Sequence, residues 1–207
     1  MKVTEKDEKI YKFIEENGFA TVKQISNIFY SDILYGSTLA KKRLDCLVQH
    51  GYVKQTKSVN CSQHVFYVLD KNKRKTKHAI IVMDLYSKFL QMKNLEVLNF
   101  EREKCFANNK VIADGFLTVK FNKINNVIIQ SFLIEVQTSN NDYTKVLGKY
   151  NDKDVFDDIN NQCGGYAPLL IYIDDVRHNM ANVKCPYQIC QIDESLADFP
   201  LIFDQNP

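Results

Sequence analysis

Two carboxylates and one basic stretch have residue types and surroundings that could do chemistry. Asp114 lies in Val-Ile-Ala-Asp-Gly-Phe-Leu and Glu135 in Phe-Leu-Ile-Glu-Val-Gln, both inside apolar segments that read as neighbouring strands. Carboxylates brought together at strand ends can share a Mg²⁺ ion, which positions a water and stabilises charge on a phosphate under attack. The basic stretch is Lys41, Lys42 and Arg43, within Thr-Leu-Ala-Lys-Lys-Arg-Leu-Asp-Cys-Leu-Val-Gln-His-Gly-Tyr-Val. Cations on an exposed helix face suit a polyanion. Tyr143 and Tyr150 could be read as nucleophiles of a nicking reaction, but eleven tyrosines and no histidine cluster argue against it.

The elements that must carry these groups follow from periodicity. Ile10, Phe13 and Ile14 share one face of a first helix over Lys6 to Asn17, which Gly18 stops. Thr21 caps a short second helix, with Val22, Ile25, Ile28 and Phe29 inward and Lys23, Gln24 and Asn27 outward. A third helix runs from Ser37 or Thr38 to His50, with Leu39, Leu44, Leu47 and Val48 inward and Lys41, Lys42, Arg43 and Asp45 outward; Gly51 is its left-handed cap. Strands Tyr52 to Lys57 and His64 to Leu69 form a hairpin. Three helices followed by a hairpin describe a winged helix-turn-helix over residues 1–72. Its third helix can enter a major groove about 12 Å wide while the wing rests on the flanking backbone. The expected DNA contacts are Ser37, Thr38, Lys41, Lys42 and Arg43 on the helix, Lys54 and Lys57 on the wing, and Arg74 in the basic linker 73–78.

Behind that linker, residues 79–207 read as helix, three strands, helix and strand. The segments are Ala79 to Met92, Leu95 to Glu101, Val111 to Phe121, Asn126 to Thr138, Tyr143 to Asn160 and Pro168 to Ile173, with Tyr187 to Ile192 as a further strand. The whole is an α+β chain of two domains. Charge divides along the same line: residues 1–78 hold 15 Lys and Arg against 8 Asp and Glu, and the remainder 12 against 17. A basic front of net +7 fits duplex DNA, and an acidic rear of −5 fits either self-association or a carboxylate-rich site; a homodimer is expected.

No apolar run approaches the roughly 20 residues of a membrane span, and the amino terminus lacks the apolar core of a secretory signal. A cytoplasmic protein with reduced thiols and no membrane partner is expected. The six cysteines are scattered; Cys185 and Cys190 are the nearest pair, and His178 is the only histidine near them. Free thiols are the better reading than a metal knot.

The rear arrangement resembles the restriction-endonuclease-like nucleases, whose signature is an Asp on one strand and Asp/Glu-x-Lys on the next. That resemblance implies an α-β-β-β-α-β fold with Asp114 and Glu135 as metal ligands. Gln137 stands where the family places lysine, and Lys145 or Lys149 on the following helix could substitute. Taken together, the front helices, Ile-Ala-Asp-Gly-Phe-Leu, Phe-Leu-Ile-Glu-Val-Gln and Lys149-Tyr150 resemble the replication-relaxation family of plasmids, phages and integrated elements. The resemblance implies a link to plasmid replication and to relaxation of supercoiled DNA. With the basic winged helix and Gln137, the expectation is a sequence-specific, double-stranded-DNA-binding protein acting in replication control or transcription, with a catalytically degenerate rear domain and no cofactor. The alternatives are a Mg²⁺-dependent nuclease or nickase and a protein-interaction adaptor.

Overall fold

The computed structural model describes residues 3–58, 61–69, 76–123, 126–138 and 142–204. The chain is mixed α+β and forms two compact units, Met1–Met92 and Lys93–Pro207.

The first unit begins with α1 (Glu5–Asn17), whose start is set by Asp7: its Oδ2 accepts from the Thr4 backbone N–H and hydroxyl, each at 2.7 Å. Gly18, at φ +79°, closes α1 with its N–H on the Ile14 carbonyl at 2.8 Å. A two-residue strand, β1 (Ala20–Thr21), leads into α2 (Val22–Phe29), where Thr21 and Gln24 cap one another reciprocally. Then come α3 (Gly36–Gln49), β2 (Lys54–Ser58) and β3 (Cys61–Val68), in an antiparallel sheet of order β1-β3-β2. Gly51 has the expected positive φ and donates to the Val48 carbonyl at 3.0 Å. The strand β1 is too short to leave a periodic signal, and only its pairing of Ala20 with Tyr67 and Thr21 with Phe66 defines it.

Helix α3 buries Ala40, Arg43, Leu44, Cys46 and Leu47, while Leu39 and Val48 are half-buried. The expectation that Arg43 faces solvent is therefore corrected. Its guanidinium forks onto the buried Asp7, with Nε donating to Oδ1 at 2.7 Å and Nη2 paired with Oδ2. Position 43 lies three residues after Ala40 and four before Leu47, so helical geometry puts it on the inward stripe whatever its charge.

A second correction concerns the boundary. Helix α4 (Lys77–Leu90), expected to open the rear domain, belongs to the first unit. Asp84 on α4 pairs with Lys23 at 2.6 Å and accepts from the Gln24 amide at 2.7 Å; Asn27 reaches Ser87 at 3.2 Å. The polar residues assigned to the outer face of α2 thus receive α4. Tyr86 stacks on Phe13 with centroids 6.3 Å apart. Residues 73–75 of the expected linker, Arg74 among them, lie outside the described residues, and Thr76 and Lys77 cap and open α4.

The second unit is one five-stranded sheet in the order β4-β5-β6-β7-β8. Strands β4 (Leu95–Phe106), β5 (Val111–Lys123) and β6 (Asn126–Val136) form an antiparallel meander. After α5 (Tyr143–Gly148), a 3₁₀ turn (Lys149–Asn151) and α6 (Lys153–Gln162), strand β7 (Leu169–Ile173) returns parallel to β6, and β8 (Ile189–Ile192) parallel to β7. A short α7 (Leu201–Asp204) closes the unit. Every residue of β7 is buried, as a parallel strand between two neighbours requires. The single helix expected over Tyr143 to Asn160 is two, because Asp152 adopts extended backbone and caps α6, accepting from Asp154 N–H at 2.9 Å. Among the described residues no helix is long and apolar enough to cross a membrane.

The Asp7 and Arg43 pair yields the first prediction. Removing one partner leaves the other charge buried, so Arg43→Ala should lower the unfolding free energy by about 3–5 kcal/mol. The exposed Lys42→Ala should change it by about 0.5 kcal/mol or less. Urea unfolding followed by circular dichroism measures both; equal effects would remove the ion pair from its structural role.

Candidate functional site

The second unit brings Asp114, Glu135, Lys149 and Tyr150 together. Rungs of the β5–β6 ladder reach Gly115 opposite Ile134, and just beyond that rung the Asp114 carboxylate accepts from the Val136 N–H at 2.8 Å. Glu135, only 3% exposed, accepts from Lys149 Nζ at 2.9 Å and from the Tyr150 hydroxyl through the same Oε1. Lys149 Nζ also donates to the Ile112 carbonyl at 2.9 Å and lies 5.2 Å from the Tyr150 ring centre. The break between α5 and α6 makes this possible, since the 3₁₀ turn carries both Lys149 and the fully buried Tyr150.

Burial pushes the Glu135 carboxyl up to about 7; Lys149 opposes the rise, and the charge of Asp114 adds to it. Tyr150 is held well above the ordinary phenol value by burial and then by Glu135, so its hydroxyl stays a donor. Of Lys145 and Lys149, it is Lys149 that pairs with Glu135. Lys145 is exposed beside Asp142. Gln137 is buried, its backbone N–H donating to the Ile173 carbonyl at 2.8 Å.

A neighbouring cluster at the carboxyl end of β7 was not anticipated. Asp174 accepts from Val176 N–H at 3.0 Å and the Tyr172 hydroxyl at 3.1 Å, and contacts His178 Nε2 at 2.8 Å. Tyr143 stacks on the His178 ring at 4.1 Å. Burial works to raise the Asp174 pKa, but the bonds from Val176, His178 and Tyr172 outweigh it and the carboxyl lies below its usual range. The only sequence signal was a histidine four residues after an acid at a strand end. His178 is thus engaged away from Cys185 and Cys190, and burial raises the Cys190 thiol to about 11. Cys46, Cys105, Cys163, Cys185 and Cys190 are free thiols. Among the described residues no group of three or more His, Cys, Asp or Glu could hold a metal ion.

In the first unit the basic candidates separate. Ser37, Thr38, Lys41 and Lys42 are exposed on α3, and Lys54 and Lys57 on β2. Lys41 pairs with Asp45 at 2.6 Å, whose other oxygen accepts from Tyr67 at 3.2 Å. Lys42, Lys54 and Lys57 have no carboxylate partner among the described residues. Comparison of the chain with protein-family models, curated proteins and solved structures finds no match.

A second prediction follows from Glu135. Its folded-state pKa is raised above the unfolded value of about 4.5, so the folded state binds the extra proton between pH 4.5 and 7. Stability contributed by this group therefore falls as pH rises through that window, by roughly 1–3 kcal/mol. Glu135→Gln should flatten this component of the unfolding free energy measured against pH, and Lys149→Ala should move it to higher pH. A variant profile parallel to wild type would contradict the assignment.

Proposed function

We propose that the chain is a sequence-specific, double-stranded-DNA-binding protein of a mobile element, acting in replication control or transcription, with the first unit a winged helix. One observation carries this reading: α3 presents Ser37, Thr38, Lys41 and Lys42 to solvent while Arg43 anchors its opposite side. Helix α3 then enters the major groove, and β2 and β3 act as the wing, with Lys54 and Lys57 against the phosphate backbone. The charge of the front segment, +7 over residues 1–78, supplies the long-range attraction.

The second unit serves homodimeric assembly, and its buried carboxylate cluster is a structural tie. A metal ligand must be ionised and reachable; Glu135 is neither freely, being nearly sealed from solvent and half-protonated near neutrality. Gln137 supplies no charge.

One observation favours a second reading, metal-dependent phosphodiester cleavage: Lys149 Nζ stands 2.9 Å from Glu135, where the absent lysine's charge belongs. Asp114 and Glu135 offer the hard oxygen donors that Mg²⁺ prefers and would be its ligands. The ion would activate water and offset phosphate charge, and Lys149 would add a fixed cation beside the reacting group.

Two measurements test these readings. In gel-shift titrations on the parent element's DNA, the double variant Lys41→Ala with Lys42→Ala should bind more weakly, with the salt slope reduced by about one per lost phosphate contact; wild-type binding by that variant would overturn the DNA surface. Supercoiled plasmid incubated with Mg²⁺ or Mn²⁺ should remain uncut. Nicking that disappears in Asp114→Ala and Lys149→Ala would instead establish the second reading.

A further inference from the structure

We propose that Leu34 and Tyr35, in the turn between α2 and α3, form an apolar surface that reads thymine methyl groups in the DNA major groove; the inference rests on the duplex-DNA reading of the first unit. Ile33, Leu34 and Tyr35 are 44%, 89% and 72% exposed, three consecutive large apolar side chains in water. Single exposed apolar residues need no explanation, but a contiguous set marks an interaction surface.

The backbone beneath them is fixed. Ile33 N–H donates to the Tyr30 carbonyl at 3.1 Å, Gly36 N–H to the Ile33 carbonyl at 2.9 Å, and Leu39 N–H to the Tyr35 carbonyl at 3.1 Å. Gly36 is buried, and a Cβ there would lie 2.4 Å from the Tyr30 carbonyl oxygen, so only glycine allows the turn to close this tightly. Tyr30 is itself buried, with Lys6 Nζ 4.7 Å from its ring centre. The fold holds Leu34 and Tyr35 outward on a preset turn, so ordering them on a partner costs little backbone entropy.

What surrounds the turn identifies the partner. Immediately after it come the exposed hydroxyls of Ser37 and Thr38 and the ammonium groups of Lys41 and Lys42. An apolar edge followed by hydrogen-bonding groups and cations matches the major groove, whose floor offers thymine methyls and base-edge acceptors between two rows of phosphates. Asp32, exposed on the same turn, repels phosphate and so directs the turn toward base edges and away from the strand backbone.

The test is selection from duplexes carrying roughly 20 randomised base pairs, two turns of B-DNA, by the full-length wild type, Leu34→Ser, Tyr35→Ser and Lys42→Ala. Folding is verified by circular dichroism and self-association by sedimentation. The wild type should enrich a motif with fixed thymines. Replacing one of these by deoxyuridine should weaken wild-type binding about fourfold, the worth of one buried methyl. That loss should vanish in Leu34→Ser or Tyr35→Ser and persist in Lys42→Ala. An enriched motif without fixed thymines, or equal deoxyuridine sensitivity in all variants, would overturn this inference and leave the DNA reading standing. Failure of the wild type to enrich any motif would overturn the DNA reading itself. Self-association lost in Leu34→Ser, without deoxyuridine sensitivity, would reassign the surface to a second copy of this chain.

Discussion

The buried pairing of Asp7 with Arg43 sets the rotation of α3 about its own axis, and the rest of the first unit's surface follows from that angle. Asp7 already serves α1 by accepting from Thr4, so one carboxylate links the start of the first helix to the middle of the third. With Arg43 inward, helical geometry turns Lys41 and Lys42 outward together with Ser37 and Thr38. A buried guanidinium without its carboxylate would be expensive, so alternative rotations of α3 are strongly disfavoured. The basic triplet is consequently divided: Lys41 and Lys42 stand in solvent, Lys41 beside Asp45, and Arg43 holds the scaffold.

A comparable constraint organises the second unit. Glu135 sits among apolar strands, and its charge is tolerable only because Lys149 and Tyr150 close over it. Those two residues lie on a 3₁₀ turn that exists because Asp152 starts a new helix at Lys153. Through Lys149, which bonds both Glu135 and the Ile112 carbonyl, the crossover between β6 and β7 is tied to β5 as well as to β6. The stacked Tyr143 and His178, bound to Asp174, tie the start of α5 to the segment after β7 in the same way.

Much of this was legible in the sequence, for identifiable reasons. Gly18 and Gly51 announced helix ends because each adopts positive φ, and the unbroken apolar run Leu-Leu-Ile-Tyr-Ile announced a strand buried on both faces. The carboxylates Asp114 and Glu135, and Lys149 as a possible companion, were visible from their strand and helix contexts. What was hidden depended on partners distant in the chain. The charge of Arg43 suggests solvent, its spacing from Ala40 and Leu47 the inward stripe, and nothing local tells that Asp7 awaits it. The outer face of α2 looked polar and free, whereas Gln24 and Asn27 bind Asp84 and Ser87 some sixty residues later, moving α4 into the first unit. The cluster of Asp174, His178 and Tyr143 likewise forms only once α5 and β7 meet.

The proposed function requires that the outward face of α3 meet duplex DNA. Amide chemical-shift mapping of the full-length protein on titration with a bound duplex tests it most directly, since it reports location without altering a residue. Shifts are expected only in the turn before α3, in α3 near Ser37, Thr38, Lys41 and Lys42, and in β2 near Lys54 and Lys57. Shifts centred instead on Asp114, Glu135 and Lys149, with α3 unmoved, would contradict that requirement.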